Sequence, residues 1–83
     1  MKLLYFAWLR TKLGQGEETV TPPASVDSVG KLIEWLKGRG PAWQAALGDL
    51  RKLRVAVNQD YVGFDHPLRA EDEVALFPPV TGG

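Results

Sequence analysis

The sequence has 83 residues, with ten basic and ten acidic side chains, a formal net charge of zero and no cysteine. That length holds one small domain, the 45% apolar share is that of a globular chain, and the missing cysteines exclude disulfides, thiolate metal sites and a cysteine nucleophile. Balanced charge argues against a nucleic-acid partner, and no apolar run approaches the roughly 20 residues that span a bilayer. The chain is therefore expected in the cytoplasm, away from membranes.

Residues 2–10 are rich in apolar and aromatic side chains and free of glycine and proline, which predicts a first strand. Alternation sets Leu3, Tyr5 and Ala7 on one face and Leu4, Phe6 and Trp8 on the other. Both faces are apolar, so one is expected to bury in the core and the other to meet a partner. Gly14 and Gly16 mark a connector, and residues 17–21 read as a second strand, paired with the first and stopped by Pro22-Pro23. Ser25 is the expected N-cap of the main helix, with Asp27 in its first turn. Val29, Leu32, Ile33 and Leu36 follow at helical spacing, and Gly38 ends the run. Gly30 weakens this helix by roughly 1 kcal/mol relative to alanine, which points to a close packing contact. Pro41 opens a short second helix through Leu47. The basic run 51–54 reads as a solvated loop. Residues 53–57 form the third strand, Asn58-Gln59-Asp60 a polar turn, Tyr61-Val62 a fourth strand and residues 73–77 the last. Val74 and Leu76 share one face of that strand, Ala75 and Phe77 the other.

This order gives an α+β domain, a mixed sheet of about five strands with one main helix and a short second helix on one face. It resembles the ubiquitin-like β-grasp, in which the first and last strands lie side by side at the centre. That pairing is parallel and sets Phe6 and Phe77 on one open face. The domain is expected to span 1–77, with 78–83 a flexible C-terminal Gly-Gly tail.

Side-chain chemistry is sparse. His66 is the one histidine, and with Asp65 beside it there is no second ligand and no nucleophile at a working spacing, so it reads as structural. Glu17-Glu18 and Glu71-Asp72-Glu73 lack the loop spacing and glycine of a calcium site and read as solvated turns. No phosphate-binding glycine motif is present, and both serines, Ser25 and Ser28, fall at a helix start. No metal is expected. What remains is the last stretch, Phe77-Pro78-Pro79-Val80-Thr81-Gly82-Gly83. Two prolines stiffen a stem, and two glycines give a thin tip that threads a narrow slot and presents a main-chain carboxylate. A carboxylate is a poor electrophile, but adenylation turns it into a mixed anhydride that sulfide or a persulfide attacks. Glycine leaves that approach open, and no cysteine is required.

Three stretches carry a family resemblance: Val55-Ala56-Val57-Asn58-Gln59, Phe64-Asp65-His66-Pro67-Leu68, and Asp72 through to the Phe-Pro-Pro-Val-Thr-Gly-Gly end. With Leu4-Tyr5-Phe6-Ala7 and Arg10, they resemble the small subunits of molybdopterin synthase. The resemblance implies a β-grasp sulfur carrier for molybdenum cofactor biosynthesis. Gly83 would be adenylated by a ubiquitin-activating-like enzyme that uses ATP, and would receive sulfur from a donor protein as a thiocarboxylate. It would then deliver the sulfur to cyclic pyranopterin monophosphate inside the large synthase subunit, in a heterotetramer. By the same resemblance Gly82 gives clearance, Phe6, Tyr61 and Phe77 contact the large subunit, and Pro78, Pro79, Val80 and Thr81 form the inserted stem. The family has apolar residues at the three contact positions, and Tyr61 departs in type. The pterin-binding active site would belong to the large subunit, and this chain would bind no cofactor of its own. Two further readings share the terminal chemistry: a carrier for another pathway, such as thiamine synthesis, and a ubiquitin-like protein modifier.

Overall fold

The computed structural model describes residues 1–79. The elements run β1 (Lys2–Tyr5), α1 (Trp8–Leu13), β2 (Glu17–Thr19), α2 (Val29–Lys37), α3 (Pro41–Leu47), a 3-10 turn (Leu50–Lys52), β3 (Arg54–Val57), β4 (Asp60–Val62) and β5 (Glu73–Phe77). The five strands form one mixed sheet in the order β2-β1-β5-β3-β4. β1 and β5 are parallel neighbours, with Leu3 beside Val74 and Tyr5 beside Leu76, and every other pairing is antiparallel. The central parallel pair expected from the sequence is thus present, together with the β-grasp topology.

Alternation along the strands sorts the faces. Leu3, Tyr5, Val55, Val57, Val74 and Leu76 are buried, and they meet Val29, Leu32, Ile33 and Leu36 of α2. Each of these larger side chains, once fully buried, is worth about 1.5–3 kcal/mol relative to exposure. Ala46 and Leu47 of α3 and Leu9 of α1 close one end of the core. Gly30 has its close contact: its N–H donates to the Phe64 carbonyl at 2.7 Å, and a Cβ there would lie 3.2 Å from that oxygen. The next bond along, Val29 N–H to His66 O at 3.0 Å, makes the segment before β5 serve the free amides of α2.

The first strand is shorter than expected. It ends at Tyr5, and Trp8–Leu13 is a helix where the sequence reading had strand and connector. Ala7 turns the chain with φ 56° and ψ −134°, Leu9 goes into the core, and Gly14 closes the helix at φ 76°, a left-handed value that glycine adopts without strain. The N-cap of α2 is Ser28, not Ser25; its Oγ accepts from Lys31 N–H at 3.3 Å. Asp27 consequently precedes the cap and pairs with Lys31 at 2.9 Å. β2 stops at Thr19 rather than 21, and residues 50–52 of the basic loop wind into the 3-10 turn, capped by Asp49. The architecture is therefore the expected one with a third α-helix added. No helix among the described residues is long and apolar enough to cross a membrane.

Candidate functional site

The open face of the sheet carries the aromatic residues that the sequence left without a core role. Phe6 N–H donates to Leu76 O at 3.2 Å, which carries the parallel register one step further and sets Phe6 beside Phe77. Phe6 is 48% exposed and Tyr61 80% exposed, while Phe77 is half-buried. Tyr61 pairs with Ala56 across β3 and β4, Ala56 pairs with Ala75, and Arg54 pairs with Phe77, so these residues share that face. The Tyr61 and Phe77 rings lie 5.5 Å apart, tilted by 39°. Ala56 and Ala75 put small side chains on the same face, a low floor beside the two rings. Exposed aromatics over such a floor are the anchors that dominate protein–protein affinity.

β5 leads directly from this face into Pro78 and Pro79, which line one wall of a groove of about 490 Å³ with Trp8, Lys12, Ala45 and Lys52. Trp8 was expected on the strand with Phe6. As the first residue of α1 it is 39% exposed and stands at the root of the stem instead. Gly83, Gly82, Thr81 and Val80 lie outside the described residues. The structure thus brings together Phe6, Tyr61, Phe77, Pro78 and Pro79 at one end of the sheet.

Behind that face a polar cluster fixes β1 to β2. Tyr5 Oη donates to Glu18 Oε2 at 2.6 Å, and Arg39 grips both Glu18 oxygens at 3.0 Å. The Arg39 guanidinium lies 4.3 Å over the Trp43 ring, whose edge meets Tyr5 at 5.7 Å. Burial, and then the bond to Glu18, push the Tyr5 phenol well above the ordinary tyrosine range, and Arg39's own hydrogen bond to Glu18 raises its guanidinium. Asp72 accepts from Arg69 N–H at 2.8 Å and from Asn58 Nδ2 at 3.0 Å, and the Arg69 backbone bond is the main cause holding its carboxyl below the usual range. Glu18 and Asp72 are therefore structural carboxylates, not the solvated turn residues the sequence implied. Among the described residues, no three His, Cys, Asp or Glu side chains gather as a metal site.

This arrangement presents an exposed aromatic face that runs into Pro78 and Pro79, and among the described residues no cluster of side chains on it forms an acid, base or nucleophile constellation. Alternation set Phe6 and Phe77 on the open face, whereas Tyr61 came only from the family resemblance. Arg54 was missed, although its place two residues before Ala56 puts it on the open face.

Residues 3–83 match the ThiS family. The chain is 45% identical over 83 residues to the molybdopterin synthase sulfur carrier subunit of Escherichia coli (strain K12), covering 100% of this chain and 99% of that protein. Among solved structures it is similar to SAMP1 from Haloferax volcanii, with a TM-score of 0.79 and 31% identity over 100% of this chain and 98% of that one. A protein–protein complex of subunits 1 and 2 of the molybdopterin-converting factor from Helicobacter pylori 26695 contains a chain that matches with a TM-score of 0.66. It covers 99% of this chain and 96% of its own, and at 19% identity it bears on the fold alone.

Proposed function

The chain belongs to the ThiS family, and on that premise we propose that it is the sulfur carrier subunit of a molybdopterin synthase. The observation that carries this reading is the course of β5. It anchors Phe77 in an exposed aromatic face and passes straight into the Pro78-Pro79 stem. A docked partner would thereby receive the following residues in a fixed direction. In this reading Phe6, Tyr61 and Phe77 seat the large synthase subunit, and Val80, Thr81 and Gly82 reach into its active site. Gly83 carries the reacting carbonyl.

The chemistry takes three stages. An activating enzyme joins the Gly83 carboxylate to the α-phosphate of ATP and releases pyrophosphate, which gives an acyl adenylate. The persulfide of a donor protein then displaces AMP to give an acyl disulfide, and a protein thiol cleaves its S–S bond, forming a disulfide and freeing the thiocarboxylate. In the large subunit the thiocarboxylate sulfur attacks a carbon of the pterin precursor as an oxygen substituent leaves, and water hydrolyses the resulting thioester, which leaves the sulfur on the pterin and restores the Gly83 carboxylate. Nothing in this sequence needs a cofactor on this chain.

Intact-mass analysis tests it directly. With activating enzyme, ATP and sulfur donor, the chain gains roughly 16 Da as sulfur replaces oxygen, and fragmentation maps the gain to Gly83. An unchanged mass, with an enzyme that loads a known carrier in parallel, overturns the proposal. The likeness to SAMP1, whose relatives include proteins described as small archaeal modifiers, favours one second reading, a protein modifier joined through Gly83 to lysine. Gly-Gly remnants on lysines of cellular proteins, dependent on this chain, distinguish it.

A further inference from the structure

Zero net charge conceals a strong segregation. Around the root of the stem stand four cations: Arg10 and Lys12 on α1, Lys52 on the 3-10 turn and Arg54 at the start of β3. Arg10 shares a cleft with Phe6, Leu4 and Glu17, Lys12 and Lys52 line the groove with Asp49, Pro78 and Pro79, and Arg54 flanks Tyr61 and Phe77. None of the four forms an ion pair with a described residue. The two carboxylates that line these clefts are each paired with another cation, Glu17 with Lys2 at 3.4 Å and Asp49 with Arg51 at 3.1 Å, and Glu18 is held by Arg39 at 3.0 Å, so the four cations stay in excess there. The acid-rich turns, with Asp60 at one and Glu71, Asp72 and Glu73 at the other, lie at the far ends of β3 and β5, where Asn58 N–H meets Glu73 O.

We propose that these four residues form a basic collar that steers the docking face onto a partner whose slot is rimmed with acidic side chains. The inference rests on the docking reading above and adds the chemistry of the partner's surface. A cation near a helix C-terminus suits the helix dipole, which accounts for Arg10 and Lys12 but not for Lys52 or Arg54. The four sit around the aromatic patch instead of converging on one point, as a phosphate site would have them. A ring of charge about an apolar centre is the layout of a protein interface, where the centre holds the complex and the rim sets the rate of encounter. Segregated charge on a neutral molecule also gives it a dipole, so the stem end arrives first.

The test measures association and dissociation of the full chain with the large molybdopterin synthase subunit of the same organism, at about 20 mM and about 500 mM NaCl. The variant carries Arg10→Glu, Lys12→Glu, Lys52→Glu and Arg54→Glu together. The association rate is expected to fall about tenfold at low salt, with the gap nearly closed at high salt and dissociation changed less than about twofold. Asp60→Lys with Glu71→Lys, at the far end, leaves association within about twofold. If the fourfold variant does not fold, Arg10→Gln with Lys12→Gln and Lys52→Gln with Arg54→Gln are each expected to slow association about threefold. Equal rates at low salt, with Phe77→Ala still weakening the complex, overturn the collar and leave the docking face standing. A native chain that does not bind overturns both. The chain's own end is the competing occupant of Lys12 and Lys52. If truncation after Pro79 abolishes the difference between native and fourfold variant, the collar serves that end and the proposal fails.

Discussion

At Glu18 three groups converge on one carboxylate: the Arg39 guanidinium, the Tyr5 hydroxyl and the Gln15 side-chain amide, which donates at 3.3 Å. Both of its oxygens are held by Arg39, and one also accepts the Tyr5 hydroxyl in the lee of Trp43. Tyr5→Phe removes one bond and leaves the ion pair, so the expected loss is about 1–2 kcal/mol. The loss depends on pH in a defined sense. The Tyr5 phenol titrates above its ordinary value of 10.0 in the folded protein because it is buried and bonded to Glu18. Its contribution is complete below about pH 10 and is lost as the pH rises, because the unfolded chain releases the proton first. Urea unfolding at about pH 8 should show the full gap between native protein and Tyr5→Phe, and by about pH 11 the gap should shrink by about 1.4 kcal/mol. A gap independent of pH would mean that the phenol ionises alike in both states.

The β3–β4 hairpin shows how an element is held by one residue and strained by the next. Val57 pairs with Asp60, so Asn58 and Gln59 make a two-residue turn, with φ of 51° and 74°. Such turns favour Asn-Gly. Asn58 also donates to Asp72 and accepts from Glu73 N–H, both at 3.0 Å, which locks the hairpin to the start of β5. Asn58→Ala is therefore expected to cost about 2–3 kcal/mol, since it strips one partner from a buried carboxylate and the acceptor from Glu73 N–H. Gln59→Gly should instead add about 0.5–1 kcal/mol by relieving the left-handed strain. Opposite shifts in the urea midpoint check both, and a loss from Gln59→Gly would contradict the strain argument. Much of this scale was legible in the chain. β5 is plain because Val74 and Leu76 alternate with Ala75 and Phe77 up to a proline, and α2 because its apolar spacing has one reading. α1 was not, because residues 3–9 form a continuous apolar run that suits strand and helix alike. The break is a backbone angle at Ala7, and only the spacing from Leu9 to Leu13 with Gly14 after it announces a helix. Ser28 displaced Ser25 as the cap through contacts distant in sequence, its bridge to Pro67 and the bonds from Val29 and Gly30 to residues 66 and 64. The open-face positions of Phe6 and Phe77 were readable from alternation, whereas the gathering of Lys12, Lys52 and Arg54 around one exit requires the fold.

Across the whole molecule, the proposed reading puts stability and recognition on opposite faces of one sheet. Among the described residues the buried core runs from Leu3 to Leu76, while Phe6, Tyr61 and Phe77 look outward from the strands that carry it. The two properties should therefore separate under mutation. Truncation after Pro79 keeps every buried residue among those described, and the unfolding free energy is expected to change by less than about 0.5 kcal/mol. Phe6→Ala removes a ring that is half exposed and should cost about 1 kcal/mol of stability or less, yet weaken docking on the large synthase subunit by about 2 kcal/mol or more, because an anchor at the centre of an interface is fully desolvated there. Urea unfolding and titration calorimetry on the same two variants measure both quantities. Truncation that destabilises by more than about 1 kcal/mol would make residues 80–83 part of the fold. In that case β5 would do more than aim a stem, and delivery of the end to a partner would require the domain itself to loosen.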